Sequence, residues 1–125
     1  MTIYEAISKA DELRNNKIDE PVKVAMLSEL DGRIHRELID PRGENGEFHG
    51  YGESTPSDTR LLADYPYDGL YVAYLDAEIC RLNGEIQKYS AARNIFFEKY
   101  EAYRAWYART HKYGAPNIKF PTRRY

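Results

Sequence analysis

Apolar residues recur every three or four positions through three stretches of this 125-residue chain, and between the second and third the rhythm stops. Ile3, Ala6, Ile7 and Ala10 share one face of a short helix predicted over residues 2–14. Thr2 followed by Glu5 gives it the spacing of a capping box. Asn15-Asn16-Lys17 interrupts it. A second helix is predicted to open near Asp19, with Pro21 in its first turn, where the missing N–H is no loss. Val22, Met26, Leu30, Ile34 and Leu38 follow at four-residue intervals with Leu27 alongside, until Asp40-Pro41 stops the helix. The run PRGENGEFHGYGESTPSDTR then holds four glycines and two prolines with no sustained period. It predicts a long loop from about 41 to 65, with a short extended piece around Phe48 and Tyr51 and an apolar anchor at Leu61 and Leu62. Loops of this length inside small domains are usually functional or disordered.

Periodicity returns at Pro66. A third helix is predicted from about Tyr67 to Asn83, with Leu70, Ala73, Tyr74, Ala77 and Cys80 on one stripe and Tyr71, Leu75, Ile79 and Leu82 on another. A helix apolar over so much of its circumference is expected to be covered on more than one side. Asn83-Gly84 reads as a tight reversal, the rival being one long helix kinked at the glycine. The last helix, about Glu85 to Lys112, replaces aliphatic residues with aromatics. Tyr89, Phe96, Tyr100, Tyr103 and Tyr107 fall on one narrow stripe, the expected core face, with Arg93 its one polar member. Ile95, Trp106 and Tyr113 lie about a quarter-turn to one side, and Phe97 as far to the other. One neighbouring helix does not cover all of that. Aromatics beside Arg are enriched in buried parts of interfaces, so Ile95, Trp106 and Tyr113 are candidate partner contacts. Trp106 has an equal claim to pack on the first two helices. The pattern predicts an all-α protein: a small bundle of about four helices with a long antiparallel hairpin, a Gly-rich loop and an extended tail.

Composition adds less than charge. The 42% apolar and 30% charged fractions suit a small helical domain. Cys80, the single cysteine, excludes an internal disulfide and fits a reducing compartment. The start MTIYEAISKADELRNN lacks the apolar core of a signal peptide, and no run approaches a membrane span, so a cytoplasmic protein is expected. The net charge of -2 conceals a division. Residues 44–85 hold nine acids and two bases; residues 86–125 hold two acids and nine bases. This is either a by-product of solvated helix faces or a chain whose basic end meets the acidic middle of a neighbour. The acid-free tail GAPNIKFPTRRY places Ile118, Phe120, Arg123, Arg124 and Tyr125 among the candidate contacts.

Catalytic signals are weak. His35, His49 and His111 have no metal-ligand spacing, and His35 reads as a solvated or capping residue. No GK[ST] follows the loop glycines. Arg42 and Asn45 stand where a calcium loop needs a ligand and a glycine. Cys80 reads as a small buried apolar residue. No enzyme activity, cofactor or metal is expected. The basic, aromatic carboxy-terminal third has the ingredients of a single-strand platform. Its aromatics are mostly committed to the core stripe, and the whole chain is acidic, which disfavours specific nucleic-acid binding.

Two segments, KVAMLSELDGRIHRELID and YDGLYVAYLDAEICRLNGEIQKYSAARNIFFEKYEAYRAWYARTH, separated by a polar Gly-rich insert, resemble the head–tail connector (adaptor, or head-completion) proteins of long-tailed double-stranded DNA bacteriophages. The resemblance spans roughly residues 4 to 113. It implies an α-helical adaptor domain over residues 1–113 and an extended docking tail over 114–125. It further implies a ring, commonly of twelve copies, beneath the portal protein. Such a ring extends the channel for passing double-stranded DNA, without sequence specificity, and carries a stopper or tail-completion protein. The location implied is the virion neck, and the host cytoplasm during assembly, with no membrane involvement. Two other readings compete. One is a cytoplasmic helical-bundle interaction or regulatory protein that oligomerises through its aromatic last helix; the other is an enzyme with its site in the Gly-rich loop.

Overall fold

The computed structural model describes residues 1–42 and 46–111. The chain is all-α: α1 (Ile3–Leu13), α2 (Glu20–Ile34), α3 (Gly69–Asn83) and α4 (Ile86–Thr110), with no strand among the described residues. Thr2 caps α1 as its spacing predicts. Its hydroxyl accepts from the Glu5 N–H at 3.1 Å, and the Glu5 carboxylate accepts from the Thr2 N–H at 2.9 Å. Asp19 precedes α2, with Pro21 in the first turn.

α2 does not run straight to Pro41. It widens into a π-helical turn, His35–Ile39, and then tightens into a 3₁₀ turn, Asp40–Arg42. The wider turn changes the register, and the consecutive residues Leu38 and Ile39 are both buried. Regular four-residue spacing predicted only Leu38. Val22, predicted on the same apolar series, is 42% exposed because it lies in the first turn, outside the buried stripe.

α3 is the middle layer. α4 covers one side of it, and α1 and α2 cover the other, so its two apolar stripes are buried against different neighbours. Gly84 makes the reversal: it adopts φ +78°, and the Glu85 N–H bonds back to the Cys80 carbonyl at 2.9 Å. α4 then returns antiparallel, so that Tyr74 meets Phe96 and Tyr67 meets Trp106. Leu82 is 47% exposed, since the chain turns away before α4 can cover it. The aromatic stripe is core as predicted: Phe96, Tyr100, Tyr103 and Tyr107 are buried, and Tyr89 packs on Ala77, Cys80 and Ala92.

The loop from 46 to 68 has no regular element but is closely fastened. Its one extended contact is an antiparallel bridge between Thr2 and Arg60, rather than a piece near Phe48. The Ile3 N–H bonds the Thr59 carbonyl and the Tyr4 N–H bonds that of Ser57. Leu61 and Ala63 are buried, and a cis Tyr65–Pro66 bond leads toward α3.

Candidate functional site

Two regions carry chemistry beyond ordinary packing. The first is internal. Asp31, on the buried stripe of α2, has no exposed surface. One carboxylate oxygen accepts from the Tyr71 hydroxyl at 2.5 Å. The other accepts from the Tyr51 hydroxyl at 2.5 Å and from the Leu62 N–H at 3.0 Å. The Tyr71 hydroxyl in turn accepts from the Ala63 N–H at 2.7 Å. One carboxylate thereby joins α2, α3 and two points of the loop. Burial pushes the Asp31 carboxyl above its usual range, opposed by the hydrogen bonds from Tyr51, Tyr71 and Leu62. Burial beside the same carboxylate pushes both tyrosines well above the ordinary phenol value. A fully buried acid that already accepts three hydrogen bonds offers no room to a substrate. It is architecture.

The same device recurs around it. The Tyr100 hydroxyl on α4 donates to Glu37 at 2.8 Å, while Arg33 pairs with Glu37 and lies over the Tyr100 ring, 4.6 Å from its centroid. Tyr74 reaches Glu29 at 3.3 Å. Acids of α2 and its π turn thus take the hydroxyls of tyrosines from the loop, α3 and α4. That helps to explain why the core is tyrosine-rich: the rings of Tyr51, Tyr71, Tyr74 and Tyr100 supply apolar area and their tips end on carboxylates. Buried Lys23 meets Asp11 at 2.7 Å, and Arg14 meets Asp76 at 2.5 Å, tying α1 to α2 and to α3. His35 bonds the Gly46 carbonyl at 2.8 Å and stacks on Phe48, helping to hold the start of the loop.

The second region is the outside of α4. Ile95 is 50% exposed, and Phe97 on the opposite flank is 38% exposed with Arg93 over its ring. Trp106 is half-buried, packed between Tyr67 and Tyr103 and touching Tyr107 and His111. Ile95 and Trp106 share a flank. Tyr113, Ile118, Phe120, Arg123, Arg124 and Tyr125 lie outside the described residues. Arg93, Lys99 and Arg109 are exposed, with no carboxylate at salt-bridge distance among the described residues. On the loop, Glu53, Asp58 and Asp64 are likewise exposed and unpaired. The charge division of the sequence therefore survives folding as a surface feature, acids on the loop and bases on α4.

Cys80 is a buried free thiol whose pKa burial raises, the state of an inert packing residue. No group of three or more metal-ligating side chains occurs among the described residues. No helix among the described residues is long and apolar enough to cross a membrane. No family model matches the chain, and neither a curated protein nor a solved structure shows significant similarity to it.

Sequence reasoning missed Asp31. Its signal was present: Asp31 lies four residues after Leu27 and three before Ile34, inside the apolar stripe, where an acid needs donors to be tolerated. Which donors those are depends on the loop's path, and no periodicity encodes that.

Proposed function

We propose that this protein is a structural subunit of the neck of a long-tailed double-stranded DNA bacteriophage. In this reading it is a head–tail connector that forms a ring beneath the portal. The ring extends the DNA channel and presents a platform to a stopper or tail-completion protein. The observation that carries the reading is the outer surface of α4, where Ile95, Phe97 and unpaired Arg93, Lys99 and Arg109 face solvent while unpaired acids lie on the loop. A ring of identical copies needs a heterologous contact, one face meeting a different face of the next copy. Two oppositely charged faces on one subunit suit that contact. The resemblance of the α2 segment and of the α3–α4 hairpin to connector proteins supplies the biological setting.

The three hydrogen bonds that close on Asp31 favour a structural role for that acid, and passage of DNA requires no base-reading groups. The portal is expected to hold the carboxy-terminal tail. Deleting residues 114–125 should leave a folded helical subunit that no longer co-sediments with portal. Full retention of portal binding by the truncated protein contradicts the reading.

A further inference from the structure

Between the first turns of α1 and α2 lies a cleft of about 290 Å³. Its apolar surface is Ile3, Pro21 and Val24, and its far wall is the loop from Gly52 to Ser57. That wall is built: the Thr55 N–H bonds the Gly52 carbonyl, the Gly52 N–H bonds the Thr55 hydroxyl, and the Ser57 carbonyl accepts from Tyr4. Glu20 and Glu53 stand on opposite sides, and neither has a cationic partner among the described residues. Asp19 and Glu20 together outweigh the partial positive charge of the α2 N-terminus. The cleft is thus apolar within and acidic at its edges. It suits a segment that combines aromatic area with guanidinium groups.

The chain contains one such segment, Phe120 to Tyr125, whose sequence FPTRRY has two arginines, two aromatics and no acid. The last turns of α4 and the start of the chain meet the same end of α3. Trp106 packs on Tyr67, the next residue Asp68 pairs with the Met1 ammonium at 3.5 Å, and Met1 leads directly into Ile3. The eight residues from Lys112 to Lys119 span at most about 29 Å when extended. Across a gap within that reach the tether gives an effective concentration of roughly millimolar, enough to fill a site of sub-millimolar affinity. We infer that, in the subunit free of portal, the cleft between α1, α2 and residues 52–57 binds the chain's own carboxy-terminal segment Phe120–Tyr125, its arginines at Glu20 and Glu53. This goes beyond the neck reading, and its test uses the protein alone, so the two can fail separately.

The test places a photo-crosslinking amino acid at Thr122 of the full-length chain and maps the products by mass spectrometry. Crosslinks within one chain to residues 20–24 and 52–57 are expected. Their yield should fall about tenfold in the double variant Glu20→Lys/Glu53→Lys, equivalent to one or two lost charge pairs. Adding Arg123→Glu/Arg124→Glu should restore it, and a thermal melt of each variant separates loss of docking from loss of fold. Crosslinks mapping elsewhere, a yield insensitive to charge reversal, or failure of the compensating reversal would overturn the inference. Products at dimer mass alone would also overturn it, by giving the cleft to another copy's tail.

Discussion

The interior around Asp31 and the outer surface of α4 use the same residue types, tyrosine or another aromatic beside a charged group, to opposite ends. Around Asp31 every polar tip has a partner: two phenols and a backbone N–H converge on one carboxylate, and a second N–H ends on Tyr71. Along α4 three cations have no carboxylate partner among the described residues, and Ile95 and Phe97 are partly exposed to solvent. Burial makes the difference. An unpaired charge inside is expensive, so the interior must be closed, whereas an unpaired charge outside costs little and stays available. Composition therefore does not tell core from contact surface here; satisfaction of polar groups does.

Substitutions on the two surfaces should separate them. The largest effect is expected from Asp31→Leu, which leaves the buried Tyr71 hydroxyl and the half-buried Tyr51 hydroxyl and Leu62 N–H without their acceptor. A loss of about 3–5 kcal/mol is expected in urea unfolding, a large share of the stability of a domain this size. Tyr71→Phe keeps the ring but removes one donor from Asp31 and the acceptor of the Ala63 N–H; it should cost about 1–3 kcal/mol by the same measurement. Gly50→Ala should cost on the order of 1–2 kcal/mol. Gly50 has φ +83°, and an added Cβ would stand 2.9 Å from the Ser28 oxygen that holds the Tyr51 N–H. On α4 the order reverses: Ile95→Asp or Arg93→Glu should change stability by no more than about 0.5 kcal/mol. The same variants should lose self-association and portal binding in sedimentation. If they unfold the protein instead, the outer surface is part of the core and the comparison fails.

The smallest expected effect is in pH dependence. Asp31 is shifted up, so its contribution to stability is greatest below the unfolded carboxylate range, about pH 4, and declines as pH rises through its folded value. Burial raises the carboxyls of Asp11 and Glu37, but Lys23 with Asn16 at the first, and Tyr100 with Arg33 and Arg36 at the second, together outweigh it and hold both below the usual range. Their contribution is present above that range and is lost as pH falls. Thermal melts across the acid range should therefore rise more steeply with pH in Asp31→Asn than in the parent chain, and less steeply in Glu37→Gln.

Much of this architecture was legible in the sequence. The capping box of Thr2 and Glu5, the aromatic stripe of α4 and the reversal at Asn83-Gly84 all follow from local spacing, because each depends on residues within a turn or two. The π turn at His35–Ile39, the exposure of Leu82 and the bridge from Thr2 to Arg60 were not legible. Each depends on where a distant segment passes. The same holds for the candidate contacts: helical geometry put Ile95 and Trp106 on one flank, but only the path of Tyr67 shows that Trp106 is half covered.

The most direct measurement is negative-stain imaging of the full-length protein mixed with a candidate portal protein from the same genome. The neck reading predicts portals that carry an added ring of density beneath them, absent when Ile95→Asp protein is used. Portals left bare by well-folded parent protein, at concentrations where it is in excess, would contradict it.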